Sequence, residues 1–152
     1  MGKSLTRDGR PAEVLLIDDS RGDALLAERA VRDAAFEANF AAARTGEEAM
    51  ARLNDPAQRR PDLILLDMGL PRMSGSEVLA AIKQDPELKA IPVIVMSNSG
   101  DPDNVARAYN FYAAAYIVKP VSLDAYREAI ALIGQFFFSL AILPQDARRI
   151  GV

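Results

Sequence analysis

The sequence contains no cysteine, no histidine and no tryptophan. Without cysteine there is no disulfide, no thiolate nucleophile and no sulfur ligand for a soft metal. Without histidine there is no imidazole acid–base catalysis and no side chain whose ordinary titration falls near neutrality. Charge of one sign is lacking too. The 18 Lys plus Arg meet 21 Asp plus Glu, for a formal net charge of -3. A broad basic face for nucleic-acid phosphates is therefore not expected, and the adjacent basic pairs, Arg59-Arg60 and Arg148-Arg149, read as loop and tail. Long apolar runs are also missing. Ala129 to Leu143 is interrupted by Gly134, Gln135 and Ser139, short of the ~20 residues that cross a bilayer. The polar start, residues 1–11, has no signal-peptide core and is expected to be a flexible N-terminus. These absences point to a cytoplasmic protein with neither DNA nor membrane as partner. Reactive chemistry is left to carboxylates, hydroxyls, amines, backbone groups or a hard cation.

What is present is an ordinary globular composition. Half of the 152 residues are apolar and 26% are charged, enough for one domain with its own core. Five short apolar runs alternate with helical patterns: Val14 to Ile17, Asn39 to Ala43, Leu63 to Leu66, Val93 to Met96 and Ala115 to Val118. Runs one, three and four are apolar throughout, as strands buried on both faces must be. Thr45 with Glu48, and Ser74 with Glu77, form capping-box patterns. Asp101-Pro102 places a cap before a proline at the first helical position. Leu25, Leu26, Ala30 and Val31 suit one face of a first helix, and a last helix is expected from about Ser122 to Leu140. Five strand–helix repeats with right-handed crossovers predict an α/β, three-layer (βα)5 flavodoxin-like sandwich. Its parallel five-stranded sheet has the order 2-1-3-4-5. About a dozen residues follow the last helix, too few for an independent fold.

In such sheets, sites form beyond the carboxyl ends of the strands. Asp18-Asp19 follows the first run, Asp67 the third, Ser97 the fourth and Lys119-Pro120 the fifth. Each alone is an ordinary turn or cap residue. Together they bring three carboxylates, one hydroxyl and one ammonium to one edge of neighbouring strands. Crowded carboxylates shift their pKa upward or recruit a cation. With oxygen ligands only, that cation is hard, Mg²⁺ or Mn²⁺. Lys119 and Ser97 suit phosphoryl oxygens, and a carboxylate can form an acyl phosphate. The set reads as a site for a phosphorylated aspartate.

These residues resemble the receiver domain of two-component response regulators. The segments are Leu15-Leu16-Ile17-Asp18-Asp19, Asp62-Leu63-Ile64-Leu65-Leu66-Asp67-Met68, Leu70-Pro71 with Gly75, Ile91-Pro92-Val93-Ile94-Val95-Met96-Ser97 and Tyr116-Ile117-Val118-Lys119-Pro120. The resemblance implies a stand-alone phosphoacceptor rather than an enzyme, with slow self-dephosphorylation. The receiver would span residues 12–141, and residues 142–152 would form a tail. Asp67 is the implied phosphoacceptor, and Asp18, Asp19, Asp67 and the Gly69 carbonyl hold the metal. Ser97 and Lys119 contact the phosphoryl group, Tyr116 acts as a switch, and Lys119-Pro120 is a cis peptide. Gln135-Phe136-Phe137-Phe138-Ser139-Leu140-Ala141-Ile142-Leu143-Pro144 and Ser20-Arg21-Gly22-Asp23-Ala24 resemble phytochrome-associated single-domain regulators. A sensor histidine kinase of the bacteriophytochrome type is then the implied donor.

Three consecutive phenylalanines span about 200° of a helix, more than one core-facing stripe. A homodimer is therefore expected through Phe136, Phe137 and Phe138, with Tyr109 and Tyr112 contributing. Other functions fit less well. An aspartate-nucleophile phosphohydrolase of the haloacid dehalogenase class needs a second acid where Gly69 stands. A flavodoxin-like electron carrier would bring its flavin phosphate against Asp18-Asp19. A non-phosphorylated pseudo-receiver would not need the complete acidic set, whereas a phosphate sink for an unrelated kinase would use the same pocket.

Overall fold

The computed structural model describes residues 2–144; Arg148-Arg149 and the rest of the expected tail beyond Pro144 lie outside them. The strands are β1 (Ala12–Ile17), β2 (Ala38–Ala43), β3 (Leu63–Asp67), β4 (Val93–Ser97) and β5 (Ala115–Val118). The helices are α1 (Arg21–Asp33), α2 (Gly46–Leu53), α3 (Gly75–Gln84), α4 (Pro102–Asn110) and α5 (Leu123–Gly134). All neighbouring strands pair in parallel, in the order β2-β1-β3-β4-β5. This is the expected fold.

Alternation along the strands divides the core in two. Leu15, Ile17, Ile64, Leu66, Val93 and Val95 pack with Ala49 of α2, Val78, Leu79 and Ile82 of α3, and Ala108 of α4. Val14, Leu16, Leu63, Leu65, Ile94 and Met96 pack with Ala27, Ala30 and Val31 of α1 and Tyr126 and Ile130 of α5. β3 and β4 are buried at every position. The helices start as their caps dictate: Thr45, Ser74 and Ser122 each accept a backbone N–H three residues on, and Asp101 caps α4 ahead of Pro102.

Four local expectations are corrected. Leu25 is 61% exposed, because the buried stripe of α1 is Ala27, Ala30 and Val31, and Leu25 falls off it. The expected last helix ends as an α-helix at Gly134 and continues as a π-helical segment, Gln135–Leu140. The N-terminal segment, expected to be loose, is bonded to the domain. Ser4 bridges to Phe36, Thr6 is buried, and Arg10 grips Asp62 at 2.6 and 2.8 Å. Finally, no cis peptide occurs among the described residues, so Lys119–Pro120 is trans. Trans is the favoured X–Pro form by about 0.5–1 kcal/mol, and from it the Lys119 side chain still reaches the acidic cluster.

Candidate functional site

The site begins where β1 and β3 end. Strand pairing sets Ile17 beside Leu66, so the residues that follow, Asp18 just past β1 and Asp67 at the end of β3, lie side by side at the sheet edge. Asp18, Asp19 and Asp67 offer carboxylate oxygens that all lie within 4.8 Å of one another. Asp18 and Asp67 are buried and Asp19 is exposed. Gly75, the first residue of α3, lets that helix press on the loop after Asp67. A Cβ there would stand 2.5 Å from the Met68 Cα and 2.6 Å from the Asp67 carbonyl oxygen.

Asp67 pairs with Met96 across the ladder, which puts Ser97 one step further towards the same edge. Ser97 in turn pairs with Val118, and its carbonyl accepts the Lys119 N–H at 2.8 Å. The buried Lys119 side chain crosses the site. Its Nζ lies 2.8 Å from Asp18 Oδ2, 2.8 Å from Asp23 Oδ2 and 3.3 Å from Asp67 Oδ2. Burial lowers the pKa of this ammonium, but Asp18 and Asp23 outweigh that and hold it well above the ordinary lysine range. Burial acts in the opposite sense on Asp18, which is pushed up to about 6. Lys119 and the Ser20 N–H counter the shift in part, and the negative charge of Asp67 adds to it.

The expected residues of the pocket therefore converge. Gly69 is exposed beside them, its N–H donating to Asp67 Oδ1 at 3.1 Å. Asp23 was not anticipated. As an acid in the first turn of α1 it reads as a partner of the helix dipole; only the fold shows its carboxylate turned onto Lys119. Tyr116 is half-buried, its hydroxyl donating to the Ser99 carbonyl at 2.5 Å.

The expected interface residues separate. Tyr109, Tyr112 and Phe136 are exposed. Phe137 packs partly against the core. Phe138 is buried against Phe36, with ring centroids 4.9 Å apart, and is not available to a partner. Gly134 makes room for this contact, since a Cβ there would meet the Phe36 ring at 2.1 Å.

The donor set fits a hard divalent cation. It is all oxygen, two of its carboxylates are buried, and the enclosed Asp18 Oδ2 meets only the shared Lys119 ammonium at 2.8 Å. One ammonium leaves three neighbouring carboxylates undercompensated, and a divalent ion would complete the balance.

Comparison with known proteins agrees with this geometry. Residues 14–131 match the family described as the response regulator receiver domain. Response regulator Rcp1 of Synechocystis sp. is 35% identical over 138 residues, which cover 88% of this chain and 94% of Rcp1. The crystal structure of its Mn²⁺-bound form superposes with a TM-score of 0.79, over 88% of this chain and 99% of that one. The phosphorylated cyanobacterial phytochrome response regulator RcpA gives a TM-score of 0.81 at 37% identity, again over 88% and 99% of the two chains. The bacteriophytochrome response regulator AtBRR gives 0.67 at 29% identity, over 89% and 99%. With the acidic cluster, Ser97 and Lys119 gathered at one edge of a 2-1-3-4-5 sheet, the chain belongs to the response regulator receiver domain family.

Proposed function

We propose that Asp67 accepts a phosphoryl group from the phosphohistidine of a sensor kinase of the bacteriophytochrome type, in a reaction that requires Mg²⁺ or Mn²⁺. One observation carries the reading. Asp18, Asp19 and Asp67 converge within 4.8 Å, and the Lys119 ammonium stands against Asp18 and Asp67. A bound divalent ion, held by these carboxylates and the Gly69 carbonyl, supplies positive charge for the phosphoryl oxygens. The chain's own residues do the rest. An Asp67 carboxylate oxygen attacks phosphorus, and the O–P bond forms as the N–P bond of the donor breaks. The released imidazole keeps the electron pair and takes up a proton from solvent. Lys119 holds one phosphoryl oxygen and the Ser97 hydroxyl donates to another. Water later cleaves the acyl phosphate, releasing inorganic phosphate and regenerating the Asp67 carboxylate. The phytochrome assignment draws on the described function of RcpA and AtBRR.

Ser97 is tied to the output side through loop hydrogen bonds. Its Oγ accepts the Ser99 N–H at 3.2 Å, and Ser99 Oγ accepts the Asp101 N–H at 3.0 Å. Asp101 Oδ1 then caps α4 through the Asp103 N–H, while Tyr116 holds the Ser99 carbonyl. A pull on Ser97 reaches both α4 and Tyr116, the switch residue. The phosphoryl group biases this loop by bonding Ser97 in one state and not the other. Output runs through the face of α4, β5 and α5, where a second copy of the chain docks on Phe136, Tyr109 and Tyr112.

The test is phosphotransfer profiling with purified histidine kinases, bacteriophytochromes included. Label is expected on the wild type and not on Asp67→Asn, whose circular dichroism stays unchanged. Transfer from unrelated kinases alone would replace the phytochrome assignment with the phosphate-sink reading. No labelling by any kinase or by acetyl phosphate with Mg²⁺ would leave the pseudo-receiver.

A further inference from the structure

Asp23 shares the ammonium on which phosphoryl binding depends. An ammonium has three donors, and Lys119 Nζ lies against three carboxylates: 2.8 Å from Asp18, 2.8 Å from Asp23 and 3.3 Å from Asp67. An incoming phosphoryl oxygen must displace one of them. Asp18 is enclosed, with no exposed side-chain surface, and Asp67 is 8% exposed. Asp23 is 27% exposed, so its carboxylate is the one that water can take over at least cost. Asp23 is also fixed in place: it lies in the first turn of α1, and its N–H donates to the Ser20 cap at 3.2 Å.

We propose that Asp23 is a positioning residue that occupies one donor of the Lys119 ammonium, and that freeing this donor is part of the cost of phosphorylation. This rests on the phosphoacceptor reading above. Asp23 acts with opposite sign on the two ligands of the pocket. Its negative charge favours the divalent cation and disfavours the phosphoryl group, both directly and by taking up a Lys119 donor that a phosphoryl oxygen would use. Neutralising it therefore weakens cation binding and strengthens binding of a phosphoryl mimic.

The experiment measures Mn²⁺ affinity, and then beryllofluoride affinity at saturating Mn²⁺, for wild type, Asp23→Asn, Asp23→Ser and Asp23→Glu. Asp23→Asn is expected to bind beryllofluoride about five-fold more tightly and Mn²⁺ about two-fold more weakly, modest values because the group is partly solvated and screened. Asp23→Glu should restore the wild-type pattern. Asp23→Ser keeps a polar first turn and repeats the test if the Asn variant folds poorly. Beryllofluoride affinity unchanged or lowered in both neutral variants overturns the role of Asp23. A wild type that binds no beryllofluoride with Mn²⁺ overturns the phosphoacceptor reading instead.

Discussion

Asp18 shows how one buried carboxylate couples the site to pH. In the metal-free protein, burial raises it from an ordinary 3.8 to about 6. Between these values the folded chain holds a proton that the unfolded chain has lost. Its contribution to stability is therefore fully present below about 4 and declines as pH rises towards 6. The change is on the order of a few kcal/mol at most. Asp18→Asn removes this dependence. Urea unfolding in EDTA should show the variant gaining on the wild type from pH 4.5 to pH 7. A difference that stays constant over that interval rejects the shifted carboxyl. With Mn²⁺ present the ion competes with the same proton, so cation binding should weaken as pH falls through about 6.

At the scale of elements, the strands were legible because burial on both faces leaves uninterrupted apolar runs, as in Leu63 to Leu66. The pocket was legible because strand order brings the residues after those runs together. Legibility stopped where side-chain direction decides. Asp23 and an ordinary helix-dipole acid look alike in sequence, and so do an interface phenylalanine and Phe138, which is buried on Phe36. The N-terminal segment was missed for a similar reason. Arg10 and Asp62 lie 52 residues apart, and no local pattern links them. In the fold, the side chain of Asp62, just ahead of β3, is fully buried and held by Arg10 at 2.6 Å. It also accepts the Glu13 N–H at 2.7 Å. Removing the arginine takes two charge-assisted hydrogen bonds from that buried carboxylate. Arg10 is itself only 19% exposed, so Arg10→Ala should cost about 2–4 kcal/mol in urea unfolding. A loss below ~1 kcal/mol would place the pair with surface ion pairs.

On the scale of the whole molecule, the proposed dimer sets stability against association at Tyr112. Its φ is 67°, the left-handed conformation that glycine normally takes just past a helix end. The Ala113 N–H completes that turn by donating to the Ala108 carbonyl at 3.0 Å. A tyrosine there costs about 1 kcal/mol relative to an unstrained residue, yet the residue is 76% exposed and recovers little by burial. A strained, exposed aromatic fits a surface that is covered in an assembly. Leu132, Phe136 and Leu140 add a second apolar stretch, lining a shallow depression of about 460 Å³ with Gln135 and Ser139. If both belong to one self-complementary face, Tyr112→Gly raises monomer stability by about 0.5–1 kcal/mol while weakening the dimer. Phe136→Ser weakens the dimer with little change in stability, since Phe136 is 52% exposed. Light scattering over a concentration series, paired with urea unfolding, separates the two effects. A stabilised Tyr112→Gly that self-associates as the wild type does would leave the strain as a property of the α4 terminus alone. An unaltered mass for Phe136→Ser would remove that residue as an anchor.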